Sequence, residues 1–175
     1  LSGGLDSSII TAIVCKLSGN AQVETFSVGL KDSEDLRYAR IVADYLGTKH
    51  HEVILNEEEM LAAIDETIYM VESYDTTTIR ASTPMRLLCK YIKNNTDIVV
   101  IYSGEGSDEA SGSYLYFHNA PSSDAFQQEC IRLLKDLQHF DNLRCDKATA
   151  GHGLESRVPF LDKAFIMNYM CIDPT

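Results

Sequence analysis

The segment Ser2-Gly3-Gly4-Leu5-Asp6-Ser7-Ser8 is the first stretch whose residue types could do chemistry. Gly3 and Gly4 have no Cβ, so the backbone can turn tightly there and point its N–H groups at a ligand. The apolar residues that follow recur at helical spacing, so a helix N-terminus with unpaired N–H donors should come next. The serine hydroxyls add further donors. The segment therefore predicts a glycine turn between a strand and a helix, of the kind that holds phosphate groups.

Asp6 places an acid inside this first loop. A carboxylate beside phosphates requires a cation between them, and Mg²⁺ is the expected ion. The loop is not a mononucleotide P-loop, because no Gly-Lys-Ser/Thr follows the glycines. The alternative is an ordinary turn between a strand and a helix, with Ser or Asp as the N-cap.

A second loop, Ser103-Gly104-Glu105-Gly106-Ser107-Asp108-Glu109, directly follows residues 97–102, which contain a continuous apolar run. This run predicts a strand that is covered on both faces. Ligands of doubly wound sheets lie outside the carboxyl ends of the strands, where the strand order reverses. We therefore expect both loops to face one crevice, with Asp6 and Asp108 holding one Mg²⁺ on a pyrophosphate. The alternative is a solvated acidic turn.

Two further segments give weaker signals. Residues 74–82 combine three threonines with Arg80, whose guanidinium suits a carboxylate or a phosphate, although threonines before a helix are often only caps. Residues 151–162 contain His152 between two glycines. A general base is one interpretation of this histidine, and a structural role is the one we favour.

The elements that must position these loops alternate along the chain. Strands are predicted over residues 24–30, 51–55 and 97–102. One helix should run from a cap at Asp32 or Ser33 to Gly47, and another should follow Asn56 and bury Leu61, Ile64, Ile68 and Val71. A third should open at Ser82, with Pro84 just inside its start. Alternating strands and helices predict an α/β fold with a doubly wound parallel sheet and right-handed crossovers.

The pattern changes after Pro121, which divides the chain into two parts. Residues 1–117 are predicted to form the sheet portion, and residues 118–175 a mainly helical portion packed against it. An amphipathic helix is predicted over residues 126–137. No further strand is evident before the segment Arg157-Val158-Pro159-Phe160.

Composition excludes several classes of function. The 15 Lys and Arg against 26 Asp and Glu give a net charge of −11, which argues against nucleic acid as a partner but not against ATP. No apolar run approaches the roughly 18 residues of a membrane span. The five cysteines form no C-x-x-C pair, so they are predicted to be free thiols in a reducing, cytoplasmic compartment.

Together these segments resemble the synthetase domain of the asparagine synthetase family, within the ATP pyrophosphatase (PP-loop) superfamily. The resemblance covers nearly the whole chain and includes Phe26–Leu30, Glu72–Asp75 and Tyr114–His118. The first loop alone would also fit other ATP pyrophosphatases. The second loop, together with Gly153–Asp162, narrows the choice to this family.

The resemblance implies a partial fold of the adenine nucleotide α-hydrolase (HUP) type with additional C-terminal helices. It also implies ATP-dependent conversion of L-aspartate to L-asparagine through β-aspartyl-AMP, with release of AMP and pyrophosphate. Glu105 would support formation of the intermediate and its attack by ammonia, and Thr77 and Arg80 would contact the intermediate. The implied ATP pocket comprises Leu1, Ser2, Gly3, Gly4, Asp6, Ser7, Val28, Ser103 and Gly104, with Asp6 and Asp108 at Mg²⁺.

The implied partners are aspartate, ATP, ammonia released from glutamine, a glutaminase domain of the same polypeptide and a second copy in a homodimer. We expect the 175 residues to be an internal piece of a longer protein that is inactive alone. Ser113 departs from the family, which usually has a glycine before this tyrosine. Two alternatives remain: another amidoligase of the group, such as a β-lactam-forming synthetase, and an ATP-binding module without catalysis.

Overall fold

A computed structural model describes residues 1–19 and 21–174, with the side chains of residues 141 and 142 left out of the description. The helices are α1 (Leu5–Leu17), α2 (Glu34–Leu46), α3 (Glu57–Ala62), α4 (Ile64–Val71), α5 (Thr76–Asn95), α6 (Ser107–Ser111), α7 (Ser123–Asp136), α8 (Asp141–Ala150) and α9 (Lys163–Tyr169). The strands are β1 (Glu24–Leu30), β2 (Lys49–Leu55), β3 (Val100–Tyr102) and β4 (Glu155–Arg157). Short 3₁₀ turns lie at Leu115–Asn119, Leu137–His139 and Pro159–Leu161.

The strands form two parallel pairs. β1 pairs with β2, with Glu24 opposite Lys49, and β3 pairs with β4, with Val100 opposite Glu155. The prediction of an α/β fold with parallel strands is confirmed. β4 lies in the portion expected to be mainly helical, so the polypeptide returns there to extend the pairing of β3.

α2 begins and ends where the sequence predicted. The Ser33 side chain accepts a hydrogen bond from the Leu36 amide, and Gly47 ends α2 in the left-handed region at φ 68°. The Asn56 side chain caps α3, and Glu59 completes the capping box by accepting from the Asn56 amide.

Two helix predictions were wrong. The predicted helix after Asn56 is broken at Ala63 into α3 and α4. Leu61 and Ile68, which were expected to be buried with Val71, are exposed. α5 begins at Thr76 rather than Ser82, because the Asp75 carboxylate accepts from the Thr78 amide at 2.8 Å and caps the helix earlier.

The predicted strand over residues 97–102 is shorter and less covered than expected. β3 begins at Val100, and Val100 and Tyr102 are largely exposed. The expectation of a strand buried on both faces is therefore wrong for these residues.

Helices lie on both faces of the β1–β2 pair. Phe26 points to the α5 side, where it forms a core with Cys89, Ile92 and Leu154. On the opposite face, Arg40 of α2 donates to Glu52 of β2 at 2.8 Å.

Candidate active site

The first loop is a tight turn that leads directly into α1. Gly3 has φ +82°, and a Cβ there would lie 2.5 Å from the backbone carbon of Tyr38, so only glycine fits. The Ser2 and Ser7 hydroxyls lie 3.0 Å apart, and the Gly4 amide donates to Ser2 Oγ at 3.3 Å. Gly4 is the N-cap of α1 and supplies no side-chain cap. The positive end of this 13-residue helix therefore faces the turn without a side-chain acceptor from its N-cap.

The second loop follows β3 and leads into α6. The Ser103 amide donates to the carbonyl of Arg157 at 2.9 Å, which continues the pairing of β3 with β4. Gly106 has φ +87°, and a Cβ there would lie 2.1 Å from Leu161 Cδ2. The loop is thus folded tightly against the 3₁₀ turn that contains Leu161.

The two loops meet. Ser107 Oγ donates to Asp6 Oδ1 at 2.7 Å, across 101 residues of sequence. A Cβ on Gly104 would lie 3.1 Å from Asp6 Cβ and 3.2 Å from the Ser7 amide nitrogen, so the backbones approach closely at this glycine. The two loops therefore face one another, as the sequence predicted, at the point where the second loop leaves β3.

A cavity of about 490 Å³ opens at this meeting point. Most of the residues predicted for the site line it, namely Leu1, Ser2, Gly4, Asp6, Ser7, Val28, Ser103, Gly104, Glu105 and Asp108. Gly3 supports the turn from outside the lining. Thr77 and Arg80 lie in the first two turns of α5, exposed and outside the lining.

Sequence reasoning missed Arg144, a positively charged side chain that lines this cavity. Arg144 of α8 donates from Nη2 to Glu105 Oε2 at 2.7 Å, and both side chains are about 15% exposed. No motif surrounds Arg144, and 39 residues separate it from its partner. Only the packing of α8 could reveal the pair.

Glu109 and Tyr114 are also cavity residues that the sequence did not single out. Glu109 is only 4% exposed, and the Tyr114 hydroxyl donates to Glu109 Oε1 at 2.5 Å. Ser113, where the resemblance implies a glycine, donates through its hydroxyl to Asp108 Oδ1. The serine therefore makes a contact that glycine could not make.

The donor set suits a metal held jointly with a ligand. Among the described residues, no three His, Cys, Asp or Glu side chains converge as a metal cage. Asp6 and Asp108 offer two carboxylates to the same cavity. Mg²⁺ is typically bound by one or two carboxylates together with substrate phosphates, so these residues fit that ion.

His152 lies outside this cavity lining. Burial, with a further contribution from Arg86, lowers the pKa of its imidazole. A half-buried ring away from the cavity agrees with the structural role that we favoured.

The cysteines are all free. Cys89, Cys130 and Cys145 are buried, and burial raises the pKa of the Cys89 thiol to about 12. These thiols are therefore packing groups rather than thiolate nucleophiles.

Parallel strands, helices on both faces of a strand pair and a cavity beside two glycine-containing loops define an α/β protein with a candidate ligand cleft. The family model described as "Asparagine synthase" matches residues 1–126 and 119–175. The chain therefore belongs to the asparagine synthase family.

Named relatives agree with this assignment. Proteins named asparagine synthetase [glutamine-hydrolyzing] from Cricetulus griseus and Mus musculus are each 54% identical over 99% of this chain. The Homo sapiens protein of the same name is 53% identical over the same share. The chain spans 32% of the length of each, about a third of these relatives. Within the described residues, no helix has the length and apolarity that crossing a bilayer requires.

Proposed function

We propose that this chain carries the ATP-dependent half of asparagine synthesis. In this reaction L-aspartate is adenylated to β-aspartyl-AMP, pyrophosphate leaves, and ammonia displaces AMP to give L-asparagine. The observation that carries the proposal is the contact between Ser107 and Asp6, which joins the two loops around one cavity in a member of this family.

ATP is the proposed nucleotide, and its phosphates would lie on the first loop. The Ser2–Gly4 turn, the Ser7 hydroxyl and the N-terminus of α1 present donors to an anion at the cavity. Asp6 and Asp108 would hold Mg²⁺ against the pyrophosphate. When bound, the ion neutralises phosphate charge and favours displacement at the α-phosphorus. Leu1, Val28, Ser103 and Gly104 would line the remainder of the nucleotide site.

Glu105 is the proposed catalytic carboxylate. Ammonia must attack as a neutral amine, and the tetrahedral species then carries a proton that a nearby carboxylate can accept. Glu105 lines the cavity beside the proposed phosphate loop, so it can reach a group bound there. We assign Thr77 and Arg80, at the exposed start of α5, to the aspartyl part of the intermediate, which requires the ligand to extend toward that helix.

The proposal also covers how the two strand pairs are arranged relative to each other. We infer that the two strand pairs are parts of one doubly wound sheet of the HUP type, with room for a further strand between β1 and β3. Two observations support the inference. The cavity is lined by Phe26 of β1 and by Ile101 of β3, and the Leu1 nitrogen donates to the Phe26 carbonyl at 2.7 Å, as in a parallel ladder.

The nitrogen source and partners follow from the relatives. Their names include glutamine hydrolysis, so we propose a glutaminase domain in the full-length gene product, with ammonia as the shared intermediate. A cytoplasmic location and a homodimer belong to the same proposal. The net charge of −11 does not favour nucleic acid as a partner.

The test uses the full-length gene product. We expect aspartate-dependent exchange of pyrophosphate into ATP, and asparagine formation from either glutamine or ammonia. Glu105→Ala should abolish amide formation while ATP still binds. Glu58→Ala, in the exposed first turn of α3, is the matched control and should leave both rates unchanged.

Three results would contradict the proposal. Exchange driven only by an acid other than aspartate would favour a different amidoligase of the group. ATP binding without any exchange would favour a module without catalysis. Full activity of Glu105→Ala would show that the proposed carboxylate has no part in the reaction.

A further inference from the structure

Among the ion pairs of the described residues, Arg144–Glu105 differs from the others in its position. Both side chains are about 85% buried and both line the cavity. The comparable arginine of α7, Arg132, is 55% exposed and binds its neighbours Glu129 and Asp136 on the surface. A surface pair contributes little, whereas a buried pair must fit closely to offset its desolvation.

The pair also links two separately built parts of the chain. Glu105 lies in a loop between two glycines, where the backbone alone does not fix a side chain. Arg144 projects from α8, a helix that packs against α5 and α4. A guanidinium on a packed helix can hold a loop carboxylate in one orientation through charge-assisted hydrogen bonding.

We propose that Arg144 is a positioning residue that holds the Glu105 carboxylate in its catalytic orientation. The inference rests on the proposed function, since it assigns Arg144 a role only through Glu105. Arg144 makes no bond to the reacting atoms in this role. It fixes where the carboxylate stands when the ammonia proton must be accepted. Catalytic geometry is sensitive to such placement, and a misplacement of about 1 Å can lower a rate about 100-fold.

The experiment compares variants in the full-length gene product. Arg144→Gln should lower kcat for asparagine formation by about 10- to 100-fold, while KM for aspartate and ATP changes less than about threefold. Arg144→Lys keeps the charge and should recover at least about a tenth of the wild-type kcat. Arg132→Gln removes one charge from an exposed pair and should leave kcat unchanged.

A double variant separates positioning from a general structural role. If Arg144 acts only through Glu105, then Arg144→Gln combined with Glu105→Gln should be no slower than Glu105→Gln alone. If Arg144→Gln fails to fold, Arg144→Lys carries the test, with a lowered kcat and an unchanged KM expected.

Two results would overturn the inference. One is an Arg144→Gln enzyme whose kcat lies within twofold of wild type. The other is a double variant slowed by the product of the two single effects. Failure of the proposed function gives a different result, because the wild type itself would then show no aspartate-dependent exchange.

Discussion

Replacing Gly106 with alanine should destabilise the protein more than an ordinary substitution at the surface does. Gly106 has φ +87°, and an added Cβ would lie 2.1 Å from Leu161 Cδ2 and 2.5 Å from Leu161 Cγ. The substitution therefore introduces two separate penalties. One is backbone strain in the left-handed region, and the other is overlap with the Leu161 side chain.

The magnitude can be worked from these two terms. A residue with a Cβ in the left-handed region costs about 1–2 kcal/mol. Forcing a packed side chain aside costs about 1–3 kcal/mol. We therefore expect Gly106→Ala to lower the free energy of unfolding by about 2–5 kcal/mol, measured by urea unfolding followed by circular dichroism. Because Gly106 adjoins Glu105, asparagine formation should fall as well.

Two comparisons isolate the overlap. Gly47 has φ +68° with no atom within 4 Å of an added Cβ, so Gly47→Ala should show the strain alone, about 1–2 kcal/mol. In a Leu161→Ala background the overlap disappears, and Gly106→Ala should then cost about as much as Gly47→Ala. The reasoning is refuted if Gly106→Ala in the wild-type background destabilises no more than Gly47→Ala.

Two other predictions concern buried polar groups. Burial, with smaller effects from Arg40 and neighbouring charges, lowers the pKa of His50 from 6.5 to about 4. The unfolded chain therefore binds a proton that the folded chain does not, so stability should fall as pH drops from about 6.5 to 4, by about 1–3 kcal/mol after solvent screening of this partly buried ring. His50→Gln should flatten that part of a plot of unfolding free energy against pH, and an unchanged slope would contradict the assignment. Arg86 is 1% exposed and contacts Glu66 and Thr67. Arg86→Ala removes a buried side chain and should therefore lower the unfolding free energy in urea by about 2–5 kcal/mol, against less than about 1 kcal/mol for exposed Arg132→Ala; equal losses would count against a stabilising role for the buried Arg86 side chain.

Local signals in the sequence were reliable where one residue decides the backbone. Gly47 ends α2 in the left-handed region, and Ser33 caps its start, as their types predict. The start of α5 was misjudged because two signals competed. Pro84 suggested a first turn that opens at Ser82, but the helix is capped at Asp75, seven residues before Ser82, and contains the proline in its interior.

Tertiary contacts could not be predicted in the same way. Arg144 meets Glu105 only because α8 packs beside the second loop, and no spacing in the sequence encodes that packing. The exposure of Val100 and Tyr102 has a similar origin, since an apolar run shows that a strand is favoured but not which neighbours cover it. Buried pairs and strand cover depend on elements that lie far away along the chain.

The two loops form one site because of how closely they can approach. At Gly104 a Cβ would lie 3.1 Å from Asp6 Cβ, tighter than ordinary side-chain contacts, so a larger residue would push the loops apart. The same approach brings Ser107 Oγ within 2.7 Å of the Asp6 carboxylate, which orients that acid toward the cavity. Glu105 stands between these two contacts in sequence, so the placement of the proposed catalytic carboxylate follows from the packing of its neighbours. The proposed chemistry therefore depends on Gly104, a residue with no functional group of its own.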